Sequence, residues 1–290
     1  MIFVTGGTGF IGKHVIKKLI EIRENVIVLV RNMKDYAAQG SEYVVEGTLD
    51  DPEPWQEELK QFSIDTCIHL AWEGIPDYSY EMSKKNLMHG LTVLDACKEL
   101  GIQNLIMTGS CWEYDKPHGI VSVNDPVCDE NAFKASKNAL RMMAHAFCRE
   151  NRIHFNWLRL FYVYGPGQRE GSLIPHIIKS FKEEKQPELN GAYNRNDFVH
   201  VSDVADAIVK VAGNHNYPEI LNVGSGCSTQ VLSIVKMAAE LMGQTINEQK
   251  YLKNNHNVEF YADKQEMYRD FSWEAKISME KGIKQVIESR

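Results

Sequence analysis

The amino-acid sequence predicts an α/β fold of the Rossmann type, a doubly wound parallel sheet, followed by a smaller, partly discontinuous C-terminal lobe. Short apolar runs alternate with segments of helical periodicity through the first 165 residues. A glycine cluster lies directly between the first apolar run and the first helical segment. Beyond residue 165 the alternation gives way to shorter, more polar segments. Such alternation is typical of βαβ units on a parallel sheet that is buried on both faces.

The elements of the first part are predicted from these patterns. Residues 80–100 form a predicted helix because Leu87, Leu91 and Leu94 recur at i, i+4 and i+7. A second helix is predicted over residues 131–150. The predicted strands are residues 1–5, 25–30, 42–46, 65–71, 104–110 and 154–161.

The second part is predicted to begin with a helix and a polar turn over residues 172–190. A strand in "DFVHVSD" precedes a helix in "DVADAIVKVAG", for which Ser202 is the expected N-cap. A strand in "EILNVGSG" follows, and the chain is predicted to be helical and charged from about residue 226. The first domain is therefore expected to comprise residues 1–165, with 197–224 returning to it, and the second residues 166–196 and 225–290.

The amino-acid composition excludes several classes of protein. The chain has 290 residues, 43% of them apolar and 24% charged, which is typical of a globular protein with a packed core. A net charge of −7 without a lysine or arginine block argues against nucleic-acid binding, and no apolar run is long enough for a membrane span. Six scattered cysteines without a C-x-x-C pair, and no secretory signal pattern, predict a cytoplasmic location. No histidine or carboxylate cluster has metal-ligand spacing.

The glycine cluster predicts a dinucleotide site. In "MIFVTGGTGFIGKHVIKKLI", Gly7, Gly9 and Gly12 spell G-x-G-x-x-G, and a second register starts at Thr5. Small residues let backbone N–H groups approach a pyrophosphate, and the helix N-terminus adds favourable partial charge. The first domain is therefore expected to bind the dinucleotide and the second lobe the substrate. The expected cofactor contacts in this loop are Gly6, Gly9, Phe10, Ile11 and Gly12.

The residues at the end of the second strand indicate which dinucleotide cofactor is used. It carries Arg31 and Asn32, and no carboxylate occurs before Asp35. An acidic residue here typically holds the ribose hydroxyls of NAD, whereas an arginine accommodates the 2′-phosphate of NADP. We expect NADP(H) to be preferred, with NAD(H) and a merely solvated Arg31 as the alternatives.

Several motifs together resemble the extended short-chain dehydrogenase/reductase family, whose members are NAD(P)-dependent epimerases, dehydratases and reductases of nucleotide-linked sugars. The resemblance covers nearly the whole chain. Its motifs are "TGGTGFIG" for the cofactor loop, "HLAW" after the fourth strand, "NLIMTGSCWEYD" for the serine strand, "FKASK" for Y-x-x-S-K, "LRLFYVYGPGQ" for RxxNVYGP and "NDFVHVSDVADAI" for RDFVYVDDVA.

The resemblance implies a catalytic group of serine, tyrosine and lysine. In the family the tyrosine exchanges a proton as hydride moves, while the lysine lowers the tyrosine pKa and holds the nicotinamide ribose. Ser110 and Lys137 stand at the serine and lysine positions, and Phe133 stands where the tyrosine is expected. Lys137 is thus also an expected cofactor contact.

A phenylalanine cannot transfer a proton, and loss of a general acid typically costs roughly 10²–10⁴ in rate. Three explanations for Phe133 are open. It is an engineered replacement of tyrosine that traps substrate; or Tyr114, Tyr162, Glu113 or a water carries the proton; or the protein binds NADP(H) as a non-catalytic sensor.

The resemblance also bears on the reaction. Dehydratases of the family carry an Asp–Glu pair where this chain has Cys111 and Trp112. We therefore expect NADPH-dependent reduction of the 4-keto group of a nucleotide-linked 6-deoxyhexose, with an NAD-dependent nucleotide-sugar 4-epimerase as the alternative. The expected substrate contacts are Trp112, Glu113, Tyr162, Arg169 and Arg195. Leu49, Leu70 and Ala71 are expected to contact the cofactor, and a homodimer is expected through the helices at 80–100 and 131–150.

Overall fold

The computed structural model describes residues 1–214, 219–251 and 258–289. Residues 215–218, 252–257 and 290, which the predicted domains include, lie outside the described residues. The chain divides into two compact units. The first comprises Met1–Asp115, Asn124–Leu160 and Ala205–Leu221, and the second comprises Lys116–Val123, Phe161–Val204 and Asn222–Arg290.

The strands and helices of the described residues are numbered in chain order. The strands are β1 (Ile2–Thr5), β2 (Val26–Val30), β3 (Tyr43–Glu46), β4 (Thr66–His69), β5 (Asn104–Ser110), β6 (Gly119–Val121), β7 (His154–Leu160), β8 (Tyr162–Tyr164), β9 (Arg195–Asn196), β10 (Phe198–His200), β11 (Ile220–Val223), β12 (Thr229–Gln230) and β13 (Glu259–Ala262). The helices are α1 (Phe10–Glu21), α2 (Glu53–Leu59), α3 (Tyr80–Glu99), α4 (Ala132–Asn151), α5 (Leu173–Lys182), α6 (Val201–Ala212), α7 (Val231–Leu241), α8 (Gln265–Phe271) and α9 (Met279–Glu288).

The main sheet confirms the predicted Rossmann-type fold. Within the described residues its strands follow the order β11-β7-β5-β4-β1-β2-β3. The pairs from β7 to β3 are parallel, and Thr5 at the end of β1 lies between Leu29 and His69. The strand order reverses direction at β1, next to β4. Ligands of doubly wound sheets bind outside the carboxyl ends of the strands at such a switch point.

The core of the first unit forms because its strands are apolar on both faces. Every residue of β2, Val26–Val30, is buried. Helix α1 buries Gly12, Val15, Ile16 and Leu19, which lie at i, i+3, i+4 and i+7 on one face. Packing of this stripe against the sheet holds the N-terminus of α1 beside the carboxyl end of β1.

The second unit has its own smaller sheet and core. The strands β12, β9, β13 and β6 form one sheet, and α5, α7 and α9 contribute to a separate apolar cluster. The unit ranges differ from the expected domains at residues 116–123, 161–165, 197–204 and 222–224. Residues 116–123 join the second unit because β6 pairs with β13, about 140 positions further along the chain.

Two local predictions are wrong. Helix α6 starts at Val201, so Ser202 lies inside its first turn and is not its N-cap. The region after residue 226 is not only helical, since it contains β12 and β13. Both strands are short, with two and four residues, and they pair with distant segments, so local patterning carries little signal for them.

Candidate functional site

The loop between β1 and α1 has the shape of a phosphate cradle. Gly6 has a φ of +75°, and a Cβ there would lie 2.5 Å from the backbone nitrogen of Ala71. A Cβ on Gly12 would overlap the carbonyl oxygen of Gly6. Gly9 is the N-cap of α1 and supplies no side-chain cap, so the first N–H groups of the helix stay open to a ligand. The loop therefore fits the pyrophosphate of a dinucleotide.

A cavity of about 240 Å³ runs along the carboxyl ends of the strands in the first unit. It brings together many of the sequence-predicted cofactor residues from separate loops. Phe10, Ile11 and Gly12 form the first turn of α1, next to the Gly9 that lines the cavity. The predicted residues that line it directly are Gly6, Gly9, Arg31, Leu49, Leu70 and Ala71.

Charged side chains on the cavity wall form a network that sequence reasoning missed. Glu73 accepts from Arg31 Nη1 at 3.1 Å and from Lys85 Nζ at 2.5 Å. Asp50 lies 3.5 Å from Lys85 Nζ and 2.9 Å from His89 Nε2. The hydrogen bond with His89 lowers the pKa of Asp50. The guanidinium of Arg31 therefore already holds a carboxylate, a pairing that only the fold reveals.

Lys137, on α4, is a buried side chain next to a residue of the cavity wall. Its Nζ donates to the carbonyl oxygen of Thr108 at 2.8 Å and lies 3.7 Å from the ring centroid of Trp72, which lines the cavity. The side chain is only 6% exposed. Burial lowers the pKa of Lys137 to about 7, against a smaller opposing effect of the Glu113 carboxylate.

Phe133 lies within an aromatic cluster, which we define as Trp72, Tyr78, Trp112 and Phe133. The Phe133 ring contacts Tyr78, Trp72 and Trp112, with centroid distances of 5.1, 5.6 and 6.1 Å. All three contacts are edge-to-face, a favourable geometry for aromatic rings. Trp112 and Phe133 are among the predicted site residues, whereas Trp72 and Tyr78, from the loop after β4, are not.

Ser110 and Glu113 cap the short 3₁₀ turn that follows β5. The Ser110 Oγ accepts from the backbone N–H of Trp112 at 3.2 Å. The Glu113 carboxylate accepts from Ser110 N, Trp157 Nε1 and Arg159 Nε, at 2.8, 3.0 and 2.9 Å. Its side chain is 0% exposed. The predictions that Glu113 lines the sugar pocket or carries the proton are therefore wrong, because its oxygens are used inside the fold.

Tyr114 is also enclosed. Its side chain is 1% exposed, and the guanidinium carbon of Arg159 lies 4.5 Å from its ring centroid. Trp112, by contrast, is 37% exposed at the edge of the aromatic cluster and remains a predicted substrate contact. The roles of Ser110 and Trp112 at the substrate stay predictions.

The remaining predicted substrate residues belong to the second unit. Tyr162 is half-buried against Phe198, and Arg169 is exposed. Arg195 Nε donates to Ser228 Oγ at 2.9 Å and to Glu259 Oε1 at 3.2 Å. Arg195 thus has a carboxylate partner in this structure, and its contact with a phosphate stays a prediction, as do those of Tyr162 and Arg169.

No group of three or more His, Cys, Asp or Glu side chains that could hold a metal ion occurs within residues 1–214, 219–251 and 258–289. In the same ranges, no helix is both long and apolar enough to cross a membrane.

The fold and this site define a nicotinamide-dinucleotide-dependent oxidoreductase of the nucleotide-sugar class. The chain belongs to the NAD dependent epimerase/dehydratase family, whose sequence profile matches residues 2–224. This confirms the resemblance to the extended short-chain dehydrogenase/reductases drawn from the motifs.

Individual relatives are distant but span nearly the whole chain. The chain is 24% identical to dTDP-D-glucose 4,6-dehydratase of Mus musculus, over 99% of this chain and 87% of that protein. It is 25% identical to CDP-abequose synthase of Salmonella muenchen, over 99% and 96%. Among solved structures, MoeE5 in complex with UDP-glucose and NAD is 26% identical, with a TM-score of 0.84 and coverage of 99% and 97%.

Proposed function

We propose that this protein reduces the 4-keto group of a nucleotide-linked 6-deoxyhexose with NADPH. The observation that carries the proposal is Lys137, a buried amine packed on the ring of Trp72, which lines the cofactor cavity. Burial of a charged amine is costly and is typical of functional sites. Ser110 stands on the strand whose Thr108 carbonyl fixes the Lys137 ammonium.

The chain's own residues bind and orient the reactants. The open N-terminus of α1 and the glycine loop receive the pyrophosphate, and Leu49, Leu70 and Ala71 enclose the adenosine half. Arg31 at the rim of the cavity meets the 2′-phosphate. When bound, the reduced cofactor supplies the hydride. Lys137 holds the nicotinamide ribose, and the Ser110 hydroxyl orients the sugar carbonyl.

A dehydratase is a poorer fit. Elimination of water needs an acid and a base of its own next to the sugar. The two positions after Ser110 hold Cys111, which is 3% exposed, and Trp112, and neither side chain is a carboxylate. The carboxylate that follows, Glu113, is fully committed to Ser110, Trp157 and Arg159.

One observation favours a second candidate, an NAD-dependent nucleotide-sugar 4-epimerase. The Glu73 carboxylate neutralises Arg31, which weakens its attraction for a 2′-phosphate. A carboxylate on this wall would also suit the free ribose hydroxyls of NAD. An epimerase returns the hydride to the same sugar, so it consumes no cofactor.

The test is to mix the purified protein with NADPH and a dTDP-4-keto-6-deoxyhexose and to follow reduced nicotinamide and sugar products together. Stoichiometric loss of NADPH with formation of the 4-hydroxy sugar supports the reductase. Interconversion of UDP-glucose and UDP-galactose without net oxidation, with NAD present, supports the epimerase instead.

The same preparation separates an enzyme from a non-catalytic sensor. A ligand that binds only the folded state raises the melting temperature. The reductase requires the nucleotide sugar to raise the melting temperature beyond the rise caused by NADPH alone. No additional rise at saturating sugar, together with no turnover, contradicts the proposed function.

A further inference from the structure

We propose that Tyr78 supplies the proton of this reaction, in place of the phenol that position 133 lacks. The inference rests on the proposed function, because it assigns the acid for the same carbonyl. It differs from each alternative that the sequence suggested, since Tyr78 belongs to the loop after β4 and to none of the motifs.

Contact between Tyr78 and Phe133 carries the proposal. Their ring centroids are 5.1 Å apart at 69°, and Tyr78 also lies 5.4 Å from Trp112. At these distances the rings touch, so the Tyr78 phenol enters the neighbourhood in which a tyrosine at position 133 would place its own. The Tyr78 phenol thus lies beside Phe133, whose ring also contacts Trp72 on the wall of the cavity.

The other candidates from the first unit are occupied or enclosed. Glu113 is 0% exposed and accepts three hydrogen bonds, and Tyr114 is buried under Arg159. Tyr78 is only half-buried. Its hydroxyl makes no hydrogen bond to any residue that the structure describes, so it is available to a bound carbonyl oxygen.

The segment that carries Tyr78 is held at both ends. On one side, Asn86 Oδ1 accepts from the backbone N–H of Glu73 at 2.8 Å, and Asn86 Nδ2 donates to the Glu73 carbonyl at 3.0 Å. On the other, Asp77 Oδ1 accepts from Ser79 N at 2.9 Å, and Ser79 is the N-cap of α3. These bonds limit the movement of Tyr78, as a proton donor requires.

The step balances without a further reactant. Hydride from the reduced nicotinamide forms the new C–H bond at the carbonyl carbon, and the C=O π pair moves onto oxygen. That oxygen takes the phenolic proton of Tyr78, so the ketone becomes an alcohol and the cofactor is oxidised. The Tyr78 phenolate then regains a proton from water before the next turnover.

The test is Tyr78→Phe, which removes one hydroxyl and keeps the ring in the cluster, with the exposed Tyr80→Phe as the matched control. We expect turnover of the dTDP-4-keto-6-deoxyhexose to fall roughly 10²- to 10⁴-fold in Tyr78→Phe only. In calorimetry without any cofactor, affinity for the same sugar nucleotide should fall roughly 2- to 10-fold, the effect of one hydrogen bond. The NADPH affinity should not change.

A double variant, Tyr78→Phe with Phe133→Tyr, adds a rescue. It places a phenol at position 133, next to the ring of residue 78, so turnover should recover relative to Tyr78→Phe alone. Unchanged turnover and unchanged sugar affinity in Tyr78→Phe overturn the proposal. So does a wild-type protein that binds both ligands without turnover while Phe133→Tyr is active, an outcome that still supports the assigned cofactor and substrate but not turnover by the wild type.

Failure of the proposed function has a different signature. In that case neither the wild type nor Phe133→Tyr oxidises NADPH or binds the sugar nucleotide. Loss of sugar binding in every variant, Tyr80→Phe included, overturns both proposals at once, whereas loss confined to Tyr78→Phe supports Tyr78.

Discussion

Replacement of Lys137 by methionine should stabilise the fold while abolishing function. The lysine is buried, and its pKa falls from 10.5 to about 7. A difference of that size corresponds to roughly 5 kcal/mol spent on keeping the ammonium group inside the protein. Methionine has a similar length and no charge, so it removes this cost and fills the same space.

Two favourable contacts are lost with the ammonium group. The hydrogen bond to the Thr108 carbonyl contributes about 1 kcal/mol, and the contact with the Trp72 ring contributes up to about 2 kcal/mol. Subtracting both leaves a net gain of about 2 kcal/mol in the free energy of unfolding near neutral pH. The corresponding rise in melting temperature is about 3 °C for a chain of this size.

The extra stability of Lys137→Met over the wild type should decrease as the pH rises. Below about pH 7 Lys137 is protonated in both states, so the folded wild type bears the full cost. Between about 7 and 10.5 the unfolded chain binds a proton that the folded chain releases, so the stability of the wild type rises with pH. The advantage of Lys137→Met should therefore be largest at neutral and acid pH and should vanish towards pH 10.5.

Urea denaturation of the wild type and Lys137→Met at several pH values measures this effect. The control is Lys84→Met on α3, where the lysine is exposed and the substitution should change the midpoint little. Two results would refute the claim that burial of the Lys137 charge destabilises the fold. One is a Lys137→Met variant less stable than the wild type at neutral pH, and the other is a stability difference that persists unchanged at alkaline pH.

Three further predictions concern the cavity wall and the core. Glu73→Gln frees Arg31, so NADPH affinity should rise roughly 1.5- to 5-fold relative to NADH in fluorescence titrations; an unchanged ratio argues against Arg31 as a phosphate ligand. Glu113→Gln leaves the buried Arg159 uncompensated and should cost about 3–5 kcal/mol in urea denaturation, and a wild-type midpoint contradicts this. Burial lowers the pKa of His69 to about 3, so the stability it contributes is present above about pH 6.5 and lost towards pH 3; an NMR titration near 6.5 in the folded protein would disprove it.

Much of the site could be anticipated because its motifs are local. The glycine loop joins a buried strand to an amphipathic helix, and only small residues allow that turn, so Gly6 and Gly12 were recognisable in the sequence. The spacing of Phe133 and Lys137 on one helix likewise indicated the family's tyrosine–lysine pair, with phenylalanine in place of the tyrosine. These features depend on neighbours within one or two turns, where sequence order and spatial order agree.

Glu113 shows where such inference fails. The resemblance to the family made it an expected substrate contact. Its orientation depends on Trp157 and Arg159, which β7 brings alongside β5 in the parallel sheet. Strand pairing determines which residues surround a buried carboxylate, and no local sequence pattern predicts them.

The sequence alone determined the fold class, the family, the dinucleotide loop and the absence of a phenol at position 133, because periodicity and short motifs encode them within single βα units. Tertiary structure alone decided that Glu73 binds Arg31, that Trp72 covers Lys137 and that Tyr78 touches Phe133. Those contacts join residues 42 to 65 positions apart, or loops from separate strands, and they form only when the sheet aligns the strand ends along one edge.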